Sequence, residues 1–138
     1  MNSPSDEARE PRFLTVDEVL ALHEHSVRRY GGAPGVRDAS LLESAVAMPQ
    51  QTAFGELAHP NLHEQAGAYL YHLCKNHPFF DGNKRTAFVA TATFLGVNGY
   101  SLKCDRVEAA DFVLQIAGES RKELSLIADW LKEHSKKI

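Results

Sequence analysis

Residues 60–97 read PNLHEQAGAYLYHLCKNHPFFDGNKRTAFVATATFLGV, and this stretch decides the fold. Its first part carries apolar residues at helical spacing, which predicts a helix from about residue 60 to residue 75. Pro60 suits the first turn of that helix, where its missing N–H costs nothing. After the turn-forming residues HPFFDG a second helix is predicted over 83–97, and it is apolar nearly all round, as in the middle of a bundle. The stretch therefore predicts a helix–loop–helix at the centre of an α-helical domain.

The segments on either side also carry helix signals. Capping residues predict the starts of four further helices: Thr15 with Glu18, Asp38, Asp105 with Glu108, and Ser120 with Glu123. Residues 49–59 show no sustained helical period and predict an extended or flap-like connector, in which at most a short β-hairpin could form. We therefore expect an all-α, single-domain helical bundle over residues 13–138, preceded by a flexible N-terminal tail over residues 1–12.

Composition narrows the function classes. A chain of 138 residues, 43% hydrophobic and 24% charged, fits one globular domain with a real core. A net charge of −3 argues against a general nucleic-acid binder. No apolar run approaches the ~18 residues of a membrane span, and the polar N-terminus lacks a signal-peptide core. Cys74 and Cys104 show no metal-type spacing, so we expect reduced thiols.

The loop HPFFDGNKR concentrates groups that suit phosphate binding. The N–H groups at the start of the second helix, with Gly82 allowing unusual dihedral angles, predict an anion-binding nest. Lys84 and Arg85 fall in the first helical turn, where the helix dipole disfavours cations. Two cations against that preference indicate that an anion is expected there, and a phosphate chain would satisfy both of them.

The same loop carries a candidate base and a candidate metal ligand. Asp81 supplies a hard oxygen of the kind that Mg²⁺ prefers, and Mg²⁺ accompanies nucleotide phosphates. His77 can take a proton from a hydroxyl near neutral pH. Phe79 is the better of the two phenylalanines for burial, where it would anchor the loop and hold His77 toward the phosphate.

The stretch HPFFDGNKRTA resembles the signature of the Fic/Doc superfamily, His-x-Phe-x-Asp/Glu-Gly-Asn-Gly/Lys-Arg. Its lysine is similar to the Doc (death-on-curing) branch, the toxins of type II toxin–antitoxin pairs. GVRDASLLESAVAMPQ upstream is also Doc-like, so that the resemblance covers most of residues 13–102. It implies the helical Fic fold.

The resemblance implies a role for each residue of the motif. His77 would deprotonate a target hydroxyl, and Asp81 would hold Mg²⁺ bound with ATP. Asn83 and the loop amides would position a phosphate, and Arg85 would clamp it. Phe79 would be the core anchor of the loop.

Two departures from AMP-transferring Fic proteins bear on the reaction. Lys84 stands where those proteins have glycine, and Phe88 stands where they have a second arginine. The Doc branch, which shares the lysine, is associated with transfer of the γ-phosphate of ATP to a threonine of elongation factor Tu. Phosphate transfer is therefore the leading hypothesis, with AMP transfer or a non-catalytic, partner-binding relative as alternatives.

The resemblance also implies partners. Residues 49–59 would form the flap that aligns the target, with Phe54 as its contact residue. The inhibitory motif of many Fic proteins is incomplete here, because Thr52-x-x-x-Glu56 is followed by Leu57. Inhibition by an antitoxin acting in trans, in the bacterial cytoplasm, is therefore expected.

Three further features are interpreted as structural. His59 and His63 have metal-ligand spacing, but Pro60 lies between them and no HExxH pattern follows. His23 is expected at the surface or its boundary. Arg37 and Asp38 are interpreted as a helix cap with an internal ion pair rather than as a substrate contact.

Overall fold

Six helices and four short strands make up the part of the chain that the computed structural model describes, residues 10–118 and 123–138. The helices are α1 (Val16–Tyr30), α2 (Ala39–Ala47), α3 (Leu62–Asn76), α4 (Asn83–Val97), α5 (Arg106–Ala117) and α6 (Leu124–Glu133), with a 3₁₀ turn at Met48–Gln50. The strands are β1 (Thr52–Ala53), β2 (Glu56–Leu57), β3 (Tyr100–Leu102) and β4 (Ser135–Lys137). The mostly helical fold and the hairpin within 49–59 are confirmed. None of the helices in these ranges has the length and apolar character needed to cross a membrane.

Helix starts follow the local signals closely. The side chains of Thr15, Asp38 and Asp105 each accept the backbone N–H three residues further on, as predicted. At Thr15 the reciprocal bond from its own N–H completes the capping box. Ser120 lies outside the described residues, and α6 begins at Leu124 without a side-chain cap. Local hydrogen bonding thus fixes the first turns of α1, α2 and α5.

Helix α3, rather than α4, is the centre of the bundle. It packs against α2, α4, α5 and α6. Its Gly67 lets α6 approach closely, because a Cβ there would meet Ile127 Cγ2 at 3.4 Å. On its other side Tyr69 packs against Phe94 of α4, with ring centroids 4.9 Å apart and both side chains fully buried. Burial of side chains of this size stabilises the fold by about 1.5–3 kcal/mol each. The two helices that flank the HPFFDG loop are therefore firmly packed against each other.

A second two-stranded sheet, β3 with β4, was not predicted. Its antiparallel register pairs Tyr100 with Lys137 and Leu102 with Ser135. The pairing joins segments on either side of α5 and α6, and neither segment has an alternating pattern long enough to indicate a strand. Only the packing of the two helices brings these segments together.

Candidate active site

The loop between α3 and α4 is held in an unusual backbone conformation at both of its ends. His77 follows the last residue of α3 with φ 52° and ψ 53°, which is the left-handed region. Gly82 precedes α4 with φ 75°, also left-handed. A left-handed histidine is uncommon because its Cβ crowds the backbone, and such residues cluster at functional sites. The loop therefore joins an exposed histidine to the start of a helix across five residues, Pro78 to Gly82.

Phe79 lies in the core and is stacked on a histidine. Its side chain is 1% exposed, and its ring lies 3.8 Å from the ring of His23, nearly parallel at 4°. His23 is buried, and its Nε2 lies 2.8 Å from the backbone oxygen of Asp81. The expectation that His23 lies at the surface or boundary is therefore wrong. The His23 ring packs against Phe79 of the loop and hydrogen-bonds to the carbonyl of Asp81, next to Gly82.

Asn83 ties the loop to the first turn of α4. Its Oδ1 accepts the N–H of Phe79 at 2.9 Å, and its Nδ2 donates to the carbonyl of Phe79 at 2.9 Å. These two bonds fix the orientation of the amide, so the remaining Nδ2–H faces His77 Nδ1 at 3.0 Å. Because Nδ1 accepts a hydrogen bond there, neutral His77 carries its proton on Nε2. The buried Asn83 amide therefore holds the loop backbone and orients the imidazole.

Asp81 is an exposed carboxylate with both oxygens anchored. Its Oδ2 accepts the N–H of Ala33 at 3.2 Å, and its Oδ1 accepts the N–H of Gly82 at 2.9 Å. These two bonds, with smaller contributions from the charges of Arg85 and His23, hold the pKa of Asp81 below its usual value. The group is therefore ionised at neutral pH, and its remaining lone pairs face solvent. Mg²⁺ typically binds proteins through one or two such carboxylates together with substrate phosphates, which fits this donor.

The first turn of α4 has free donors. Within residues 10–118 and 123–138 no side chain caps this helix, whereas Thr15, Asp38, Asn61 and Asp105 cap α1, α2, α3 and α5. The first N–H groups of any helix lack intrahelical partners, and the helix dipole adds partial positive charge at that end. A Cβ at Gly82 would lie 3.2 Å from Arg85 Nη2, so glycine also lets the backbone approach that guanidinium. This cradle has the charge and donors to hold a phosphate group.

Arg85 is held by hydrogen bonds to α1 and to Gly31, which follows it, whereas the Lys84 side chain is exposed. The Nε of Arg85 donates to Ser26 Oγ and its Nη2 donates to the Gly31 carbonyl at 3.1 Å. Its guanidinium also lies over the Tyr30 ring, 5.2 Å from the centroid. Lys84 is exposed and lines a groove of about 470 Å³ between α4 and α5. Both cations thus line the groove between α4 and α5, and Arg85 also reaches the loop, with Nη2 3.2 Å from the Cβ position of Gly82.

The flap within residues 49–59 is a short hairpin with an exposed tip. β1 pairs with β2 through Thr52 with Leu57 and Ala53 with Glu56. Phe54 sits at the tip with φ 54°, and its side chain is fully exposed. A large exposed ring at a hairpin tip is available for contact with another molecule.

The whole motif region is matched by one protein family. A family model described as the Fic/DOC family matches residues 13–95. The chain belongs to the Fic/Doc family. Toxin Doc of Mycolicibacterium smegmatis (strain ATCC 700084 / mc(2)155) is 45% identical over 96 residues, which cover 70% of this chain and 69% of that protein. Protein kinase doc of Escherichia phage P1 is 34% identical over 122 residues, covering 88% of this chain and 94% of that protein. These relatives place the chain in the Doc branch of the Fic/Doc family.

Sequence reasoning missed the residues that support the Fic/Doc loop from outside it. His23, Ser26 and Arg37 all contact the loop or its arginine from α1 and the segment after it. A signal was present for His23, because it recurs with Val19, Leu20 and Val27 on the apolar stripe of α1. Nothing local in the sequence indicates the contacts of Ser26 or Arg37.

Proposed function

We propose that this chain is a Doc-like toxin that transfers the γ-phosphate of ATP to a hydroxyl of a protein, most simply a threonine. One observation carries the proposal: a single loop brings an exposed histidine, an ionised carboxylate and an uncapped helix N-terminus with a braced arginine into one short segment. Base, metal ligand and phosphate cradle are the three parts that such a transfer needs.

His77 is the proposed general base. As the bond between the target oxygen and the γ-phosphorus forms, the bond from phosphorus to the β–γ bridging oxygen breaks, ADP leaves, and His77 takes the hydroxyl proton. In the orientation seen here the lone pair of neutral His77 is on Nδ1, where Asn83 donates to it. The ring must therefore turn about its Cβ–Cγ bond so that an unprotonated nitrogen faces the hydroxyl. Rotation about this type of bond has a broad, two-fold profile, so the turn is accessible.

Asp81 and the α4 N-terminus are the proposed ATP site. Asp81 would hold Mg²⁺, which would neutralise charge on the phosphate oxygens when bound. The N–H groups that follow Gly82 would receive phosphate oxygens, with Asn83 keeping the turn in shape. Arg85 would add a donor pair from the α1 side, since its guanidinium is already oriented there by Ser26. Lys84 would act at the edge of this site.

Phosphate transfer is favoured over AMP transfer by two observations. Protein kinase doc matches this chain over 94% of its own length. In addition, Phe88 replaces the second arginine of AMP-transferring relatives and packs against the hydrophobic core. A phenylalanine side chain has no donor for a phosphate oxygen, which disfavours the nucleotide placement that AMP transfer uses.

Elongation factor Tu is the proposed target, with Phe54 of the flap as a contact to it. The proposal follows the Doc branch, and the exposed tip of the flap offers a surface for a protein substrate. The name Toxin Doc, carried by the mycobacterial relative, supports a paired antitoxin that acts in trans. The bacterial cytoplasm, where translation factors work, is the proposed location.

The deciding experiment supplies purified elongation factor Tu with ATP labelled at either the α or the γ phosphate, in the presence of Mg²⁺. We expect label only from γ, a mass increase of one phosphate, and no transfer by His77→Ala. His25→Ala is the matched control, because His25 is an exposed histidine on α1 and should leave the rate unchanged. Label from α would replace the proposal by AMP transfer. No label from either position, together with unchanged toxicity of His77→Ala, would indicate a partner-binding relative.

A further inference from the structure

Three consecutive carbonyl groups at the end of α3 converge on one residue, Arg37. Its Nη2 donates to the Asn76 carbonyl at 3.1 Å and its Nε donates to the His77 carbonyl at 2.7 Å. Its own backbone N–H donates to the Pro78 carbonyl at 2.7 Å. The helix cap at Asp38 is confirmed, and the sequence interpretation did not anticipate that the Arg37 guanidinium bonds to these carbonyls. Its side chain covers the backbone of the histidine proposed as the base.

The contacts of Arg37 supply what a left-handed residue at a helix end needs. The last carbonyl groups of a helix lack intrahelical partners and carry partial negative charge, which a guanidinium satisfies in both respects. His77, at φ 52°, adopts a conformation that a non-glycine residue keeps only when its surroundings fix it. Arg37 bonds to the carbonyl of His77, and Asn83 donates to its ring in the orientation seen here. The two residues therefore hold the histidine from opposite sides of its Cα.

Arg37 is itself held in place by the segment that carries it. The next residue, Asp38, also donates its N–H to the Pro78 carbonyl, at 3.1 Å, and its side chain caps α2. One residue before, Val36 forms an antiparallel bridge with Phe79. The planar guanidinium of arginine can donate to two carbonyl groups at once from a fixed backbone. The flexible ammonium group of a lysine would hold both carbonyls less well.

We propose that Arg37 is a positioning residue for His77. It acts as the C-terminal cap of α3 and keeps His77 in the left-handed conformation that presents its ring. This role of Arg37 rests on the proposed function of His77 as base, because Arg37 would orient that base. Arg37 acts on His77 through its backbone carbonyl and not through a contact with substrate.

The test compares Arg37→Gln and Arg37→Lys with Arg28→Gln. Arg28 is an exposed arginine in the last turn of α1, so its replacement controls for the loss of one positive charge. Circular dichroism first establishes that each variant is folded. Histidine labelled with ¹³C at Cε1 then gives one signal for each of the 7 histidines, and the His77 signal is assigned from its absence in His77→Asn.

We expect the His77 signal to shift or broaden in Arg37→Gln while the signal of His25, which is exposed on α1, keeps its position. In phosphate transfer we expect kcat to fall about 10- to 100-fold with the KM for ATP changed less than about twofold, because a small misplacement of a reacting group is costly. Arg37→Lys should recover part of the loss, since it restores charge at the helix end but not both donor bonds. If Arg37→Gln does not fold, Arg37→Lys alone carries the test.

The outcomes separate the two proposals. A His77 signal and a kcat in the Arg37 variants equal to those of Arg28→Gln would overturn the role of Arg37. A shifted His77 signal in a protein whose wild type transfers no phosphate would uphold the contact between Arg37 and His77 and overturn the proposed reaction instead. A loss of ATP binding with kcat unchanged would make Arg37 part of the nucleotide site, contrary to the proposal.

Discussion

Replacing Asn83 by alanine removes one side chain that holds both the loop backbone and the imidazole of His77. The amide makes two bonds with the backbone of Phe79, to its N–H and its carbonyl, and one with His77 Nδ1. Alanine keeps the helical backbone of α4 and makes none of these bonds. The perturbation therefore tests whether this buried amide stabilises the loop as the geometry indicates.

The free energy of unfolding that Asn83→Ala should lose follows from the burial of Phe79. Its side chain is 1% exposed and Asn83 is 4% exposed, so water has little access to the groups that lose their partner. A buried donor or acceptor left unsatisfied costs about 1–3 kcal/mol, which gives about 2–6 kcal/mol for the N–H and the carbonyl of Phe79 together. Relaxation of the loop would bring the value toward the lower end. Even a loss of about 2 kcal/mol is a large fraction of a typical free energy of unfolding of about 5–15 kcal/mol.

Asn98 at the other end of α4 provides a matched control. Its Oδ1 accepts the N–H of Arg12 at 2.8 Å, and its Nδ2 donates to the carbonyls of Arg12 and Phe94 at 3.0 and 2.8 Å. The number of bonds is thus the same as at Asn83, but Arg12 is exposed and its backbone groups can bond to water instead. We expect Asn98→Ala to cost about 0.5–1.5 kcal/mol.

Urea unfolding followed by circular dichroism measures both variants, with the slope against urea checked for a common two-state transition. The reasoning is refuted if Asn83→Ala costs no more than Asn98→Ala. A large cost with an unchanged rate of phosphate transfer would retain the stabilising role of Asn83 and remove its role in orienting His77.

Three further predictions concern stability and the metal ligand. Tyr69→Phe should lower the free energy of unfolding by about 1–3 kcal/mol, because it leaves a buried main-chain N–H without an acceptor; urea unfolding measures it, and a change near zero would contradict it. Burial lowers the pKa of His72, so the unfolded state binds more protons and stability should fall as pH drops through about 6.5. His134 has a raised pKa, mainly through its bond to a backbone carbonyl, and should act in the opposite direction: stability gained below about pH 6.5 and lost as pH rises. Urea unfolding at two pH values should therefore show a weaker acid loss in His72→Gln and a stronger one in His134→Gln, and equal slopes would contradict this. Gly32→Ala should raise the Mg²⁺ concentration needed for transfer, because its Cβ would lie 2.8 Å from the carboxylate proposed to hold the metal. Gly99→Ala is its control, since it also has positive φ but nothing within 4 Å of its Cβ, and equal Mg²⁺ dependence of the two variants would contradict the prediction.

Most of the helix positions follow from the sequence because their signals are local. Thr15, Asp38 and Asp105 mark helix starts through hydrogen bonds that reach only three residues along the chain. Likewise the histidine, carboxylate and anion-binding turn are contiguous, so their chemistry can be read without knowing the packing. The hairpin within 49–59 also closes over a few residues.

Contacts between distant segments were decided by the tertiary structure. The pairing of β3 with β4 spans α5 and α6, and each strand is too short for its own pattern to indicate it. The position of α3 at the centre of the bundle depends on which faces meet, and Gly67 matters only because α6 packs there. Sequence spacing gives the faces of a helix but not its neighbours.

The sequence by itself determined which groups stand in the loop: His77 as the candidate base, Asp81 as the candidate ligand and Arg85 as the candidate clamp. Only the tertiary structure decided how they are held. His23 lies 58 positions from the carbonyl that it contacts, and Arg37 lies 40 from His77. The physical reason is that a local motif specifies its atoms, whereas their orientation comes from hydrogen bonds across the packed helices.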